Sequence, residues 1–165
     1  MKTGDFVKIK DSYFLNNSKL KEFLLNKSEN RIYLGLIVRL SDELNCFVPL
    51  RSNLPNNIRV QELGVFRVPS NTKPDACLDL TKTLLINQSE FLEVLSKNEV
   101  WIPLVQKKKI EKNLRELERL VQNYIKGYCK EYKHRIRRPE KKIDPLYQYS
   151  TLQNYHNILG LELQQ

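Results

Sequence analysis

Cationic and small polar side chains stand at the ends of three apolar segments and could act together on a phosphodiester. Arg31 precedes the first segment. Arg51 and Ser52 follow the second, and Thr81 and Lys82 precede the third. Positive charges and hydroxyl groups that meet at one point stabilise the charge that develops on a phosphate during transfer. Because RNA supplies its own nucleophile, the 2′-hydroxyl, cleavage at such a point needs neither a metal ion nor a histidine.

Other kinds of catalytic or metal site lack the residues that they need. The five glycines are scattered and form no phosphate-binding loop. The histidines, His134 and His156, come late and follow no nucleophile in a triad order. Cys46, Cys77 and Cys129 are far apart and include no C-x-x-C pair, so reduced thiols are a simpler interpretation than zinc. We expect neither a metal ion nor another cofactor.

The net charge of +9 is concentrated in one part of the chain. Residues 101–142 carry 14 lysines and arginines against five acidic residues, which accounts for the whole excess. Such a local excess is typical of a polyanion-binding protein, and its internal position favours nucleic acid over a membrane surface. Lys107, Lys108, Arg115, Lys133, Arg135, Arg137 and Arg138 are the candidates for contacts with a nucleic-acid backbone.

Residues 1–100 have the pattern of a mainly β structure. The nearly continuous apolar run at 32–38 predicts a buried central strand, and 46–50 predicts its return strand. That strand should end or become an edge at Pro49, which has no amide hydrogen to donate. Short strands at this spacing predict a small curled sheet or barrel. The remaining predicted elements are strands at 6–10, 65–68 and 83–86 and short helices at 20–25 and 90–95.

Residues 101–165 have the pattern of a helical part, within the same single domain. Apolar residues recur at steps of three and four between 105 and about 133, which predicts one helix with most basic residues outside its apolar stripe. Gly127 should weaken the last turns of that helix. A basic linker at 134–144 and a final helix at 150–160 complete the prediction. No apolar run approaches the roughly 20 residues of a membrane span, so we expect a soluble, cytoplasmic protein.

Three segments of the chain together resemble the endoribonuclease toxins of type III toxin–antitoxin systems, the group of ToxN, AbiQ, CptN and TenpN. The segments are Arg31-Ile-Tyr-Leu-Gly-Leu-Ile-Val, Phe47-Val-Pro-Leu-Arg-Ser-Asn and Cys77-Leu-Asp-Leu-Thr-Lys. Their order and spacing carry the resemblance, which runs over residues 5–160. The Pro-Leu-Arg-Ser-Asn form is most similar to the TenpN branch.

The resemblance implies an α+β fold, with a compact, highly curved antiparallel sheet or barrel like that of the Kid and MazF toxins, surrounded by helices. It implies metal-independent, sequence-specific RNA cleavage that leaves a 2′,3′-cyclic phosphate and a 5′-hydroxyl. It also implies a role in phage defence. The partner is then a small repeat RNA antitoxin. The toxin cuts this RNA from its precursor, and the repeats fold as pseudoknots that inhibit the toxin in a protein–RNA assembly.

The resemblance also implies roles for particular residues. The cation before the glycine-containing strand falls on Arg31, and the serine after Pro-Leu falls on Ser52, with Asn53 beside it. A lysine that follows this serine in the ToxN branch is replaced by Leu54, and Lys82 could supply the missing charge. Tyr13 and Tyr124 match aromatic residues of some members and could stack on unpaired bases; burial in the core is the competing interpretation of Tyr124.

Two alternatives to an RNA-cleaving toxin remain at the level of the sequence. The same basic face could belong to an RNA-binding module that cuts nothing. A DNA-binding regulator is a weaker alternative, because the helical part contains no compact helix-turn-helix signature.

Overall fold

One antiparallel sheet of seven strands forms the centre of the computed structural model, which describes residues 1–161. The strand order is β4-β5-β3-β2-β1-β7, and β6 pairs with β3 beside β5. The expected α+β fold with an antiparallel sheet is confirmed, but the sheet keeps two edges and does not close into a barrel. The strands are β1 Phe6–Ile9, β2 Tyr33–Arg39, β3 Glu43–Arg51, β4 Val65–Arg67, β5 Cys77–Asp79, β6 Leu84–Leu85 and β7 Leu92–Val94.

The β2–β3 hairpin supplies the buried middle of the sheet, as its apolar pattern predicts. Leu34 and Phe47 are fully buried in it. Of the two outcomes predicted at Pro49, an end of the strand is wrong, since β3 continues to Arg51, whereas a local edge is present on the side away from β2. The amide of Leu50 donates to the Ile32 carbonyl on the β2 side, so the missing donor of Pro49 faces the other side. There β6 and β5 pair with 46–47 and 50–51 and leave residue 49 unpaired.

Helices cover the sheet and extend along one side of it. The predicted helix over 105–133 is two helices that meet at Asn113, and the second one continues to Arg137, into the predicted linker. Gly127 lies within α4, and the space that a Cβ would occupy there is filled by the hydroxyl of Tyr147. The α-helices are α1 Asp11–Asn16, α2 Ile58–Leu63, α3 Leu104–Lys112 and α4 Leu114–Arg137, and short 3₁₀ helices occur at Leu80–Lys82, Ser89–Phe91 and Thr151–Asn154.

Three predicted helices are wrong. Residues 20–25 form no helix, and backbone angles nearby are left-handed, with φ of 62° at Glu22 and 54° at Lys27. Residues 90–95 contain only the end of a 3₁₀ helix followed by β7, whose backbone pairs with β1. The final segment, 150–160, has one 3₁₀ helix and then turns. Each of these apolar patterns is too short to distinguish a helix from another structure.

Both tyrosines that were predicted to stack on bases are core residues. Tyr13 is 4% exposed and its hydroxyl lies 3.0 Å from that of Tyr155. Tyr124 is also 4% exposed, and its hydroxyl donates to the Leu146 carbonyl. Because neither ring offers a free face, burial explains these residues better than base stacking. Among residues 1–161, no helix is both long and apolar enough to cross a membrane.

Candidate functional site

A cleft of about 430 Å³ lies where β3 and β5 end. Arg51 lines this cleft together with Thr81 and Lys82, which are distant from it in the sequence. β3 and β5 pair antiparallel, with Arg51 opposite Cys77. The 3₁₀ helix Leu80–Lys82 follows β5 directly and brings its polar residues to the same place. The other lining residues are Glu22, Leu24, Pro55, Asn56, Asn57, Val60, Asp79, Pro145, Leu146 and Tyr149.

Asp79 is the buried anchor of the cleft. Its carboxylate is fully buried and accepts a hydrogen bond of 2.7 Å from Nη1 of Arg51. It also accepts bonds from the backbone amide and the hydroxyl of Thr81, at 3.1 and 2.6 Å. A buried carboxylate needs such a set of donors to offset its lost hydration. The arrangement fixes Arg51, whose side chain stays 24% exposed, while the Thr81 hydroxyl is committed to Asp79.

Lys82, in the same cleft, is held by contacts from two other segments. Its ammonium group donates to the Tyr149 carbonyl at 2.7 Å and lies 3.3 Å from Oε2 of Glu22. The Lys82 side chain is only 13% exposed, whereas that of Glu22 is 38% exposed. A cation that is largely shielded from water acts more strongly on a nearby anion than an exposed one does.

Arg31 lies close to Arg51 without lining the cleft. Its guanidinium donates to the carbonyls of Leu25 and Leu50, at 2.8 and 3.3 Å. Burial lowers the pKa of Arg31, and the positive charge of Arg51 acts in the same direction. Its backbone contacts fasten the segment before β2 to the end of β3.

Ser52 and Asn53 follow β3 and are exposed. Ser52 is the immediate neighbour of Arg51 along the chain, but the set of residues that lines the cleft does not include it. The Asn53 carbonyl faces the thiol of Cys77 at 3.9 Å. The phosphate contact expected of Ser52 and the RNA contact expected of Asn53 therefore stay predictions.

Sequence reasoning missed three residues of this cleft. Asp79 was detectable, because an Asp two residues before a Thr is a common cap of a short helix and the Leu-Asp-x-x-Lys segment contains it. Glu22 and Tyr149 gave no such signal. Both lie in segments without regular periodicity, and only the packing of those segments brings them to Lys82.

A basic groove of about 1030 Å³ runs along α4 and is distinct from the cleft. Arg39, at the end of β2, forms its other wall, and Gln122 of α4 donates a hydrogen bond to the Arg39 carbonyl. A neighbouring groove of about 520 Å³ shares Arg39 and Gln122 and continues toward the start of α4. The polar residues of α4 that line the two grooves at steps of three and four are Arg115, Arg119, Gln122, Lys126, Lys130, Lys133 and Arg137.

This face of α4 is one continuous stripe. At 1.5 Å per residue, the distance from Arg115 to Arg137 is about 33 Å, with roughly one cation per turn. Among the described residues that line the larger groove, Glu131 is the one acidic residue. Glu43, which pairs with Arg39 at 2.8 Å, and Glu118 line the smaller one. The stripe is thus strongly cationic along the C-terminal two thirds of the helix.

The remaining predicted basic residues lie around these grooves. Lys107 and Lys108 are on α3, and the Lys107 ammonium donates to the Lys97 carbonyl. Arg135 lines a small cavity with Tyr128 and Tyr132 on another face of α4, and Arg138 follows the last helical residue. The sequence shows the positive charge of these residues, but it does not show that they lie on different helices and on different faces of α4.

The buried thiols of Cys46 and Cys77 are unsuited to act as nucleophiles. Burial raises the pKa of both Cys46 and Cys77 to about 12, so these thiols are neutral near pH 7. Within residues 1–161, no group of three His, Cys, Asp or Glu side chains is arranged to hold a metal ion.

Two solved structures share this fold. One, from work on the inhibition of a type III toxin by a non-coding RNA pseudoknot, has a TM-score of 0.59 and 17% identity; the match covers 74% of this chain and 77% of that one. The other comes from a bacterial antiviral system regulated by a processed non-coding RNA. It has a TM-score of 0.55 and 13% identity, with 94% and 98% covered. No protein-family model and no curated protein sequence matches the chain. At these identities the likeness establishes the fold.

Proposed function

We propose that the protein is an endoribonuclease toxin of a type III toxin–antitoxin system, inhibited by its own repeat RNA. The observation that carries this proposal is the meeting of Arg51 and Lys82 in one cleft, on a fold shared with proteins studied together with non-coding RNA. Two shielded cations suit the charge that develops on a phosphodiester when the 2′-hydroxyl attacks it.

In this mechanism the RNA strand lies with one phosphate in the cleft. Arg51, oriented by Asp79, and Lys82 donate to the non-bridging oxygens of that phosphate, and Arg31 adds positive charge from behind the strand end. Ser52 hydrogen-bonds the same phosphate from the rim. The 2′-oxygen bonds to phosphorus and the bond to the 5′-oxygen breaks, which leaves a 2′,3′-cyclic phosphate and a 5′-hydroxyl. No metal ion is required by this scheme.

The basic stripe of α4 binds the antitoxin in the same proposal. Its cations span about 33 Å, enough to follow the backbone of a folded RNA such as a pseudoknot. Lys133 and Arg137 lie in the larger groove and Arg115 in the smaller one. Because binding of this kind releases counterions from the RNA, its affinity should fall steeply with salt.

Cleavage of a mixed-sequence RNA in the presence of a metal chelator tests the proposal. We expect the wild-type protein to cut at defined sites and to leave cyclic-phosphate ends. Ser52→Ala should lose cleavage and keep antitoxin affinity within a few-fold, while the exposed Ser18 offers the matched control, Ser18→Ala. A wild-type protein that binds RNA and never cuts it would establish the non-catalytic RNA-binding module instead, and a preference for duplex DNA would exclude both.

A further inference from the structure

The cleft contains one carboxylate with an oxygen atom that has no hydrogen-bond partner among residues 1–161. Of the two acidic residues that line it, Asp79 is fully buried and is already bonded to Arg51 and Thr81. Glu22 is partly exposed, and only its Oε2 has a partner among residues 1–161, the Lys82 ammonium at 3.3 Å. Cleavage through the 2′-hydroxyl needs a group that removes its proton, and the cleft contains no histidine.

The backbone next to Glu22 is held by a remote segment. The side chain of Asn154 bonds to Lys21, the residue before Glu22: Oδ1 of Asn154 accepts from the Lys21 amide, and Nδ2 donates to the Lys21 carbonyl, both at 2.8 Å. Glu22 itself has a left-handed backbone, with φ of 62°. Residues other than glycine adopt that conformation only at an energetic cost, and such strain is concentrated at functional sites.

We propose that Glu22 is the general base that removes the proton from the ribose 2′-hydroxyl, an inference that rests on the proposed ribonuclease function. The Glu22 carboxylate takes the proton as the 2′-oxygen bonds to phosphorus. The bond between phosphorus and the 5′-oxygen breaks, and that oxygen takes a proton from a solvent water. The resulting hydroxide is neutralised when Glu22 returns its proton to solvent. Lys82, beside Glu22, stabilises the negative charge of the attacked phosphate throughout.

Single-turnover cleavage by Glu22→Gln tests the inference, because glutamine keeps the size of the side chain but accepts no proton. We expect the rate constant for cleavage to fall about 10²- to 10⁴-fold, with RNA affinity within a few-fold of wild type. Glu22→Asp should recover part of the rate. Glu93→Gln is the matched control, since it removes the same charge from an exposed residue of β7, and it should cleave like the wild type.

An RNA with sulfur in place of the 5′-oxygen at the cleaved link separates a base from other roles. The sulfur departs without a proton, so a defect in protonating the leaving group disappears on this substrate, whereas a defect in removing the 2′-proton persists. We expect Glu22→Gln to remain at least tenfold slower than the wild type on it.

The opposite result is equally informative. The Glu22 carboxylate pairs with the Lys82 ammonium, which a phosphate would otherwise contact. If the only effect of Glu22 is to compete with that phosphate, the Glu22→Gln variant should bind and cleave RNA better than the wild type. Equal or faster cleavage by Glu22→Gln overturns the inference and leaves the proposed function intact. A wild-type protein without cleavage activity overturns both.

Discussion

The cleft and the basic groove differ in almost every physical respect. The cleft combines side chains from four distant segments, and its cations are held by specific partners: Arg51 by Asp79, and Lys82 by the Tyr149 carbonyl and Glu22. The groove depends mainly on one helix face, and most of its cations are exposed to solvent. Shielded, fixed charges act strongly on one group at one position, whereas exposed charges act weakly and in sum.

The difference in shielding and in fixed position determines what each region is able to do. A site that must stabilise a transient charge requires prearranged donors, and the loss of one donor has a large effect. A surface that follows a polyanion requires many cations at a suitable spacing, and each one contributes little. Substitutions in the two regions should therefore differ in both size and kind.

Among the cations of the two regions, the largest effect is expected at Lys82. Lys82→Met keeps an unbranched apolar stem and removes the charge, and we expect cleavage to slow by about 10²- to 10³-fold. Antitoxin affinity should change by less than a few-fold, because the groove is untouched. Single-turnover cleavage and RNA binding measure the two effects separately. Equal losses in both would show that the cleft and the groove are one binding surface.

Asp79→Asn should reduce the stability of the protein more than any substitution in the groove. It leaves the Arg51 guanidinium, which is 24% exposed, without its charged partner, and we expect a loss of about 3 kcal/mol in the free energy of unfolding. Urea denaturation measures this loss. In the background of Arg51→Met the same substitution should cost clearly less, since the cation is no longer present; equal costs would show that the ion pair does not stabilise the fold.

In the groove, the expected effect of a single substitution is small and depends on salt. Lys130→Ala should weaken antitoxin binding several-fold at low salt and reduce the slope of log affinity against log salt by about 1. The cleavage rate constant at saturating RNA should not change. Lys19→Ala, an exposed lysine near α1 and away from α4, is the control. An unchanged salt slope in Lys130→Ala would remove the groove from the binding surface.

The smallest effect concerns pH. Burial, followed by the positive charge of Arg135, lowers the pKa of His156, whose Nε2 lies 2.8 Å from the Tyr128 hydroxyl. The unfolded chain then binds the proton more readily than the folded one. Stability should therefore fall as the pH decreases from about 6.5 through the lower folded pKa. Melting temperatures at pH 7.5 and 5.5 should differ more for the wild type than for His156→Asn; identical differences would contradict the assignment.

Elements with a long or regular pattern were predictable, and short ones were not. The seven-residue apolar run identified β2, and the apolar stripe identified α4, because each pattern repeats often enough to exclude other structures. The short apolar pattern at 20–25 predicted a helix wrongly, since Leu20 and Phe23 pack on the core from an irregular segment that contains the left-handed residue Glu22. The end of α4 beyond about residue 133 was also missed, because its mostly charged residues continue no apolar stripe and were predicted as a linker.

Residue type and spacing alone determined the concentration of positive charge, its helical stripe and the polar residues at the strand ends. These properties depend on neighbours a few residues away, and helix and strand geometry translates them directly into a face or an edge. The contacts of Lys82 with Glu22 and Tyr149 depend on tertiary packing, and so does the orientation of Arg51 by Asp79. Contacts between remote segments follow from how the sheet curves and how irregular segments pack on it, and no local pattern in the chain specifies them.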